Sequence, residues 1–83
     1  MEENEIGKVT HYYSKLGVGI IELSGVLSVG DTIRIHGATT ELTQPIESMQ
    51  VDYKDVKSAK KGDMVGIRVS QKVRDGDQVF KVI

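Results

Sequence analysis

The chain contains no cysteine and no tryptophan, a single proline and a single phenylalanine among its 83 residues. Each shortage excludes something. Without cysteine there can be no disulfide and no thiolate zinc site, so a domain this small must hold itself together by packing alone. Without a cysteine nucleophile, one route to covalent catalysis closes. With aromatics at 5% of residues, the core has to be aliphatic. No apolar run approaches the roughly 20 residues that span a bilayer. The opening Met1-Glu2-Glu3-Asn4-Glu5 is acidic where a secretory leader would be basic and then apolar. These absences predict a cytoplasmic protein with no membrane segment and no cofactor.

Net charge is small, −1 from 11 basic and 12 acidic residues, but the charge is unevenly placed. Residues 1–53 sum to −5 and residues 54–74 to +5. The basic stretch comprises Lys54, Lys57, Lys60, Lys61, Arg68, Lys72 and Arg74, against Asp55 and Asp63. A local patch of this kind can hold a polyanion while the net charge stays near zero. The bland alternative is a solvated loop whose lysines keep the domain soluble. Tyr12, Tyr13, Tyr53 and Phe80 would supply stacking surfaces for bases if they face outward.

What is plentiful is alternation broken by glycine. Ile33 and Ile35 alternate with Thr32, Arg34 and His36, and Val65, Ile67 and Val69 alternate with Met64, Gly66 and Arg68. Val9–Tyr13 and Gly17–Leu23 read as two further strands, turned by Ser14-Lys15-Leu16-Gly17. Segment 46–53 is a fifth, with Met49, Val51 and Tyr53 on one face, and Gln78–Ile83 a sixth. Val56 and Ala59 allow at most one turn of helix before Gly62. Gly17, Gly19 and Gly66 sit inside strand segments, where glycine marks bulges or bends. Six short strands with no covering helix predict an all-β fold, a small closed six-stranded antiparallel barrel. It spans residues 6–83 as a single domain behind a flexible tail over residues 1–5.

Three dipeptides punctuate the chain: Gly30-Asp31, Gly62-Asp63 and Gly76-Asp77. Each stands just before a strand, and glycine with aspartate is the chemistry of a tight turn. A shared metal would need its oxygen ligands brought together from three separate turns, so the structural reading prevails. His11 and His36 lie in different strands without metal spacing or a positioned partner. His36 falls on the polar side of its strand. His11 shares parity with Val9 and Tyr13 and is expected to be partly buried. Gly17-Val18-Gly19 leads into no helix and lacks the lysine of a phosphate loop. The residues thus predict a binding module and not an enzyme.

Taken in order, Gly7-Lys8-Val9, Gly25 to Ile33, Ser48-Met49-Gln50, Ala59 to Ile67 and Arg74 to Val79 resemble the second domain of translational GTPases such as elongation factor Tu. The resemblance covers roughly residues 6–83 and implies a six-stranded Greek-key barrel. Ile46 to Gln50 and the closing Gly-Asp-Gln-Val-Phe-Lys are similar to a free-standing elongation factor-like family. They are similar also to the barrel at the C-terminus of collagenase-like peptidases. The GTP-binding domain and the peptidase-like body are both missing from the sequence in hand, so no hydrolysis is carried over. The resemblance implies a surface for tRNA, a ribonucleoprotein or another domain, and the +5 segment, read from charge alone, makes the seven basic residues the candidate RNA contacts. The alternative is a protein-docking accessory module for a separately encoded peptidase-like or RNA-modifying enzyme. That reading expects an exposed apolar patch at Val18, Ile20 or Val26.

Overall fold

Ile33 and Ile35 are fully buried, with Arg34 between them half-exposed, as strict alternation demands of a strand with one face on a core. The same rule operates at Val65 and Ile67 and at Ile21 and Leu23. A computed structural model describes residues 3–82 of the chain. Its elements are β1 (Glu3–Tyr13), β2 (Val18–Leu23), β3 (Leu27–Ser28), β4 (Thr32–His36), β5 (Glu41–Pro45), β6 (Met49–Val51), β7 (Lys54–Val56), β8 (Ser58–Ala59), β9 (Met64–Arg68) and β10 (Gln78–Val82). The described residues contain no helix.

Eight strands form one antiparallel sheet in the order β5-β4-β10-β1-β2-β9-β6-β7, and β3 pairs with β8 as a separate ribbon. The all-β expectation therefore holds. The strand count differs from six because β3, β7 and β8 have only two or three residues each and β5, though five residues long, carries one buried apolar residue, Leu42. Val56–Ala59, whose spacing allows at most one helical turn, instead supplies the end of β7 and all of β8. The backbone ladder of the large sheet runs from β5 at one end to β7 at the other.

β1 is long because it serves two partners. Its first part pairs with β10 and its second with β2, with register shifts between Glu5 and Gly7 and between Val9 and His11. Each shift inserts an unpaired residue, bends the strand and exchanges its two faces. That is why Val9 is buried while His11 is exposed, contrary to the parity expectation, and Tyr12 packs on the core instead. The tail expected over 1–5 is also reduced. Glu3, Asn4 and Glu5 lie opposite Val82, Lys81 and Phe80. Met1, Glu2 and Ile83 lie outside the described residues.

The core is aliphatic, centred on Val9, Ile21, Leu27, Ile33, Ile35, Ile46, Met49, Val65, Ile67, Val73 and Val79. Burying each such side chain contributes roughly 1.5–3 kcal/mol, which is how a cysteine-free chain of this length holds a fold. Tyr12, Val51 and Val56 pack around its margin.

Candidate interaction surface

The three Gly-Asp pairs make one device three times. In Ser28–Asp31, Lys60–Asp63 and Arg74–Asp77, the aspartate N–H donates to the carbonyl of the first residue at 3.0, 3.0 and 3.1 Å. The aspartate carboxylate in turn accepts the N–H of that first residue at 2.9, 3.1 and 2.9 Å. The glycines have φ of 99°, 95° and 89°, the third position of a type II turn, which an L side chain resists. Every carboxylate is thereby engaged by its own turn, and the chain leaves each turn directly into β4, β9 or β10. Among the described residues, no three of His, Asp and Glu stand close enough to hold a metal. The third turn is the most enclosed. Asp77 is buried, and a Cβ on Gly37 would overlap its Oδ1, so glycine is required there by close approach.

The seven basic residues are all exposed. Lys54 is on β7, Lys57 joins β7 to β8, and Lys60 and Lys61 occupy the second Gly-Asp turn beside the end of β2. Arg68 closes β9, so it stands about 13 Å along the strand from that turn. It lines a recess of about 680 Å³ with Val18, Gln44, Met49 and Gln50. Lys72 and Arg74 line a different recess of about 480 Å³, with His11 and Tyr12. The structure therefore distributes the basic stretch over several places, with Lys72 and Arg74 together in one recess and Arg68 in another. Of the apolar patch expected at Val18, Ile20 and Val26, Val26 is exposed, while Val18 and Ile20 are half-buried beside Gly66.

Two features at the sheet's margins were not legible in the sequence. The first bridges β5 and the exit of β9. Gln44 Nε2 donates to the Arg68 carbonyl at 2.9 Å, and its Oε1 accepts the Ser70 N–H at 3.0 Å. A side-chain amide thus takes the place of a peptide group beside that segment. The second is centred on Arg34. Its Nε and Nη2 donate to the two Glu41 oxygens at 2.8 Å each, and Nη1 donates to Glu3 at 2.9 Å. The guanidinium lies over the Phe80 ring, 5.9 Å from its centroid. His36 Nδ1 reaches Glu41 Oε1 at 3.1 Å. The Arg34 hydrogen bonds, with a further one from His36, hold the Glu41 carboxyl down to about 2 against 4.5 ordinarily. Gln44 reaches Arg68 from 24 residues away and Arg34 reaches Glu3 from 31, separations that leave no local pattern to read.

The β6–β7 hairpin supplies the most exposed aromatic. Asp52 and Tyr53 connect the strands with φ of 53° and 65°, and Tyr53 is 96% exposed. Tyr53 was expected to share a strand face with Met49 and Val51. The strand instead ends at Val51, and the chain reverses through two residues without glycine.

No protein-family model matches the chain. It is similar to an uncharacterized protease of Methanocaldococcus jannaschii, 47% identical over 77 residues, which are 92% of this chain and 19% of that protein. It is similar also to a collagenase of Porphyromonas gingivalis, 37% identical over 82 residues, 96% of this chain and 23% of that protein. The chain thus spans about a fifth of the length of the curated relatives it matches. Among solved structures, the C-terminal domain of a candidate U32 peptidase of Geobacillus thermoleovorans superimposes with a TM-score of 0.89. The match covers 96% of this chain and 93% of that one at 18% identity, a likeness of fold.

Proposed function

We propose that the chain is an accessory β domain that docks on a peptidase-like catalytic body and makes or breaks no bond itself. The observation that carries this reading is the shape of the sequence match. Identity of 47% extends over nearly all of this chain yet only 19% of a protein named as a protease. The fold likeness to a C-terminal domain of a candidate peptidase supports the same placement. So does the local chemistry, since the three turn aspartates are committed to their own backbones. The ordered Gly-Asp turns support the elongation-factor-type barrel as its architecture. The Gln44 amide supports closure of that barrel, because it spans from β5 to the segment leaving β9. A cysteine-free composition supports a reducing compartment, the cytoplasm.

RNA binding is the second reading, and what favours it is the recess where Lys72 and Arg74 meet His11 and Tyr12. Saturable tRNA binding that weakens steeply with salt, and is lost in the Lys72→Gln/Arg74→Gln double variant, would move it to first place.

Calorimetry tests the accessory-domain reading on the Methanocaldococcus jannaschii relative. One form has its matching stretch deleted, and a second has that stretch replaced by this chain. Docking predicts that the replacement melts as one cooperative unit, at a higher temperature than the deletion. Two transitions at the temperatures of the separate parts would refute it.

A further inference from the structure

Positive φ at both central residues of a two-residue hairpin defines the type I′ turn. Asparagine, aspartate or glycine suits its first position and glycine its second. Asp52 conforms and Tyr53 does not. In the left-handed region the Cβ of an L residue crowds the neighbouring carbonyl, and a bulky side chain there is a genuine outlier. A fold tolerates such a residue when its side chain fills space. Tyr53 fills none, being 96% exposed. Tyr12 and Phe80, in contrast, are half-buried, and Tyr13 stacks edge-on against His11 at 4.4 Å.

The hairpin beneath Tyr53 is well anchored. Met49 is fully buried, and Val51 and Val56 pack against the core. Gln50 Nε2 donates to Asp55 Oδ1 at 3.0 Å across the two strands. The ring is thus held out at the tip of the last hairpin of the large sheet. Backbone strain and a solvated aromatic coincide on one residue that the domain's own packing does not use. Strained residues of this kind gather where a protein meets something else.

We propose that Tyr53 is the anchor by which this domain docks, its ring entering an apolar pocket on the peptidase-like body. The inference rests on the accessory-domain reading above. The occupant is that body because roughly four-fifths of the relatives' length lies outside the matched stretch. Exposed Asp52 and Asp55 balance exposed Lys54 and Lys57 around the tip, so the contact is centred on the ring and not on net charge. A buried tyrosine ring with its hydroxyl bonded at the pocket floor is a common energetic centre of such contacts.

Hydrogen exchange compares this chain alone with the same chain installed in the relative in place of its matching stretch. Amides of residues 51–54 should exchange at least about tenfold more slowly in the installed form. Tyr53→Asn should abolish that slowing, and Tyr53→Phe should keep most of it. In the chain alone, Tyr53→Asn should melt roughly 4 °C higher, since asparagine accepts the left-handed conformation. Slowing elsewhere on the chain but not at 51–54 would overturn the anchor and leave the docking reading standing. Slowing nowhere would overturn both. Slowing at 51–54 that survives Tyr53→Asn would place the contact on the hairpin but deny Tyr53 its role.

Discussion

Among the described residues, positive φ occurs at five turns, and the three Gly-Asp turns and the Asp52-Tyr53 turn use it in two different ways. The Gly-Asp turns place glycine where a Cβ would be strained, and lock the turn with an aspartate that both donates and accepts within it. The Asp52-Tyr53 turn places a tyrosine at a comparable position and leaves its ring in solvent. The first kind minimises the energy of the isolated domain. The second raises it, and a domain selected only to fold would have glycine there. The difference separates residues that serve the fold from one that serves a contact outside it.

Substitutions can break the contrast at either side. The largest effect should come from Asp77→Ala, because its carboxylate is buried and its removal leaves the Arg74 N–H without its partner. A loss of about 2–3 kcal/mol is expected in urea unfolding. The equivalent Asp63→Ala, whose hydrogen bond is exposed, should cost less, about 0.5–1.5 kcal/mol. Next comes Gly62→Ala. Nothing lies within 4 Å of a Cβ built there, so the expected cost of about 1–2 kcal/mol is conformational strain with no clash. Tyr53→Gly should have the opposite sign, a gain of about 0.5–1 kcal/mol in the same assay, because relief of strain outweighs the extra freedom glycine gives the unfolded chain.

The smallest effect belongs to Glu41→Gln, since the Arg34 pair is largely solvated and competes with water and salt. Its pH dependence has a definite sign. The folded-state pKa of Glu41 is depressed from 4.5 to about 2, so the pair stabilises the fold above the ordinary carboxylate pKa. That contribution fades as pH falls from about 4.5 through 2. Acid titrations of stability should therefore differ between wild type and Glu41→Gln above this window and converge below it. Added salt should narrow the difference.

Local pattern revealed what local physics decides. Alternation at 32–36 and 64–69 located β4 and β9, and the Gly-Asp pairs stood where each strand begins. Local pattern is silent where a distant partner or an unmarked irregularity takes over. A register shift after Val9 carries no sequence signal, so His11 was placed on the wrong face. Gln44 holds Arg68 and Ser70 from 24 and 26 residues away, through an amide that reads locally as any polar strand residue. The Asp52-Tyr53 reversal was hidden because Tyr53 stands where the turn chemistry that marks hairpins calls for glycine. That failure falls on a strained residue, as expected where a sequence departs from what its fold prefers. Of the interaction surface, the basic stretch was visible in the sequence, but its scatter over β7, the second Gly-Asp turn and two separate recesses required the sheet order to see.

The division between turns that serve the fold and a turn that serves a partner is tested most directly by placing one residue at both kinds of site. Gly62→Asn and Tyr53→Asn should be melted side by side with the wild-type chain. The account predicts opposite signs, a lower Tm for Gly62→Asn and a higher Tm for Tyr53→Asn. A fall in both would show that Tyr53 stabilises its own hairpin, contradicting the claim that its conformation is held for a contact elsewhere.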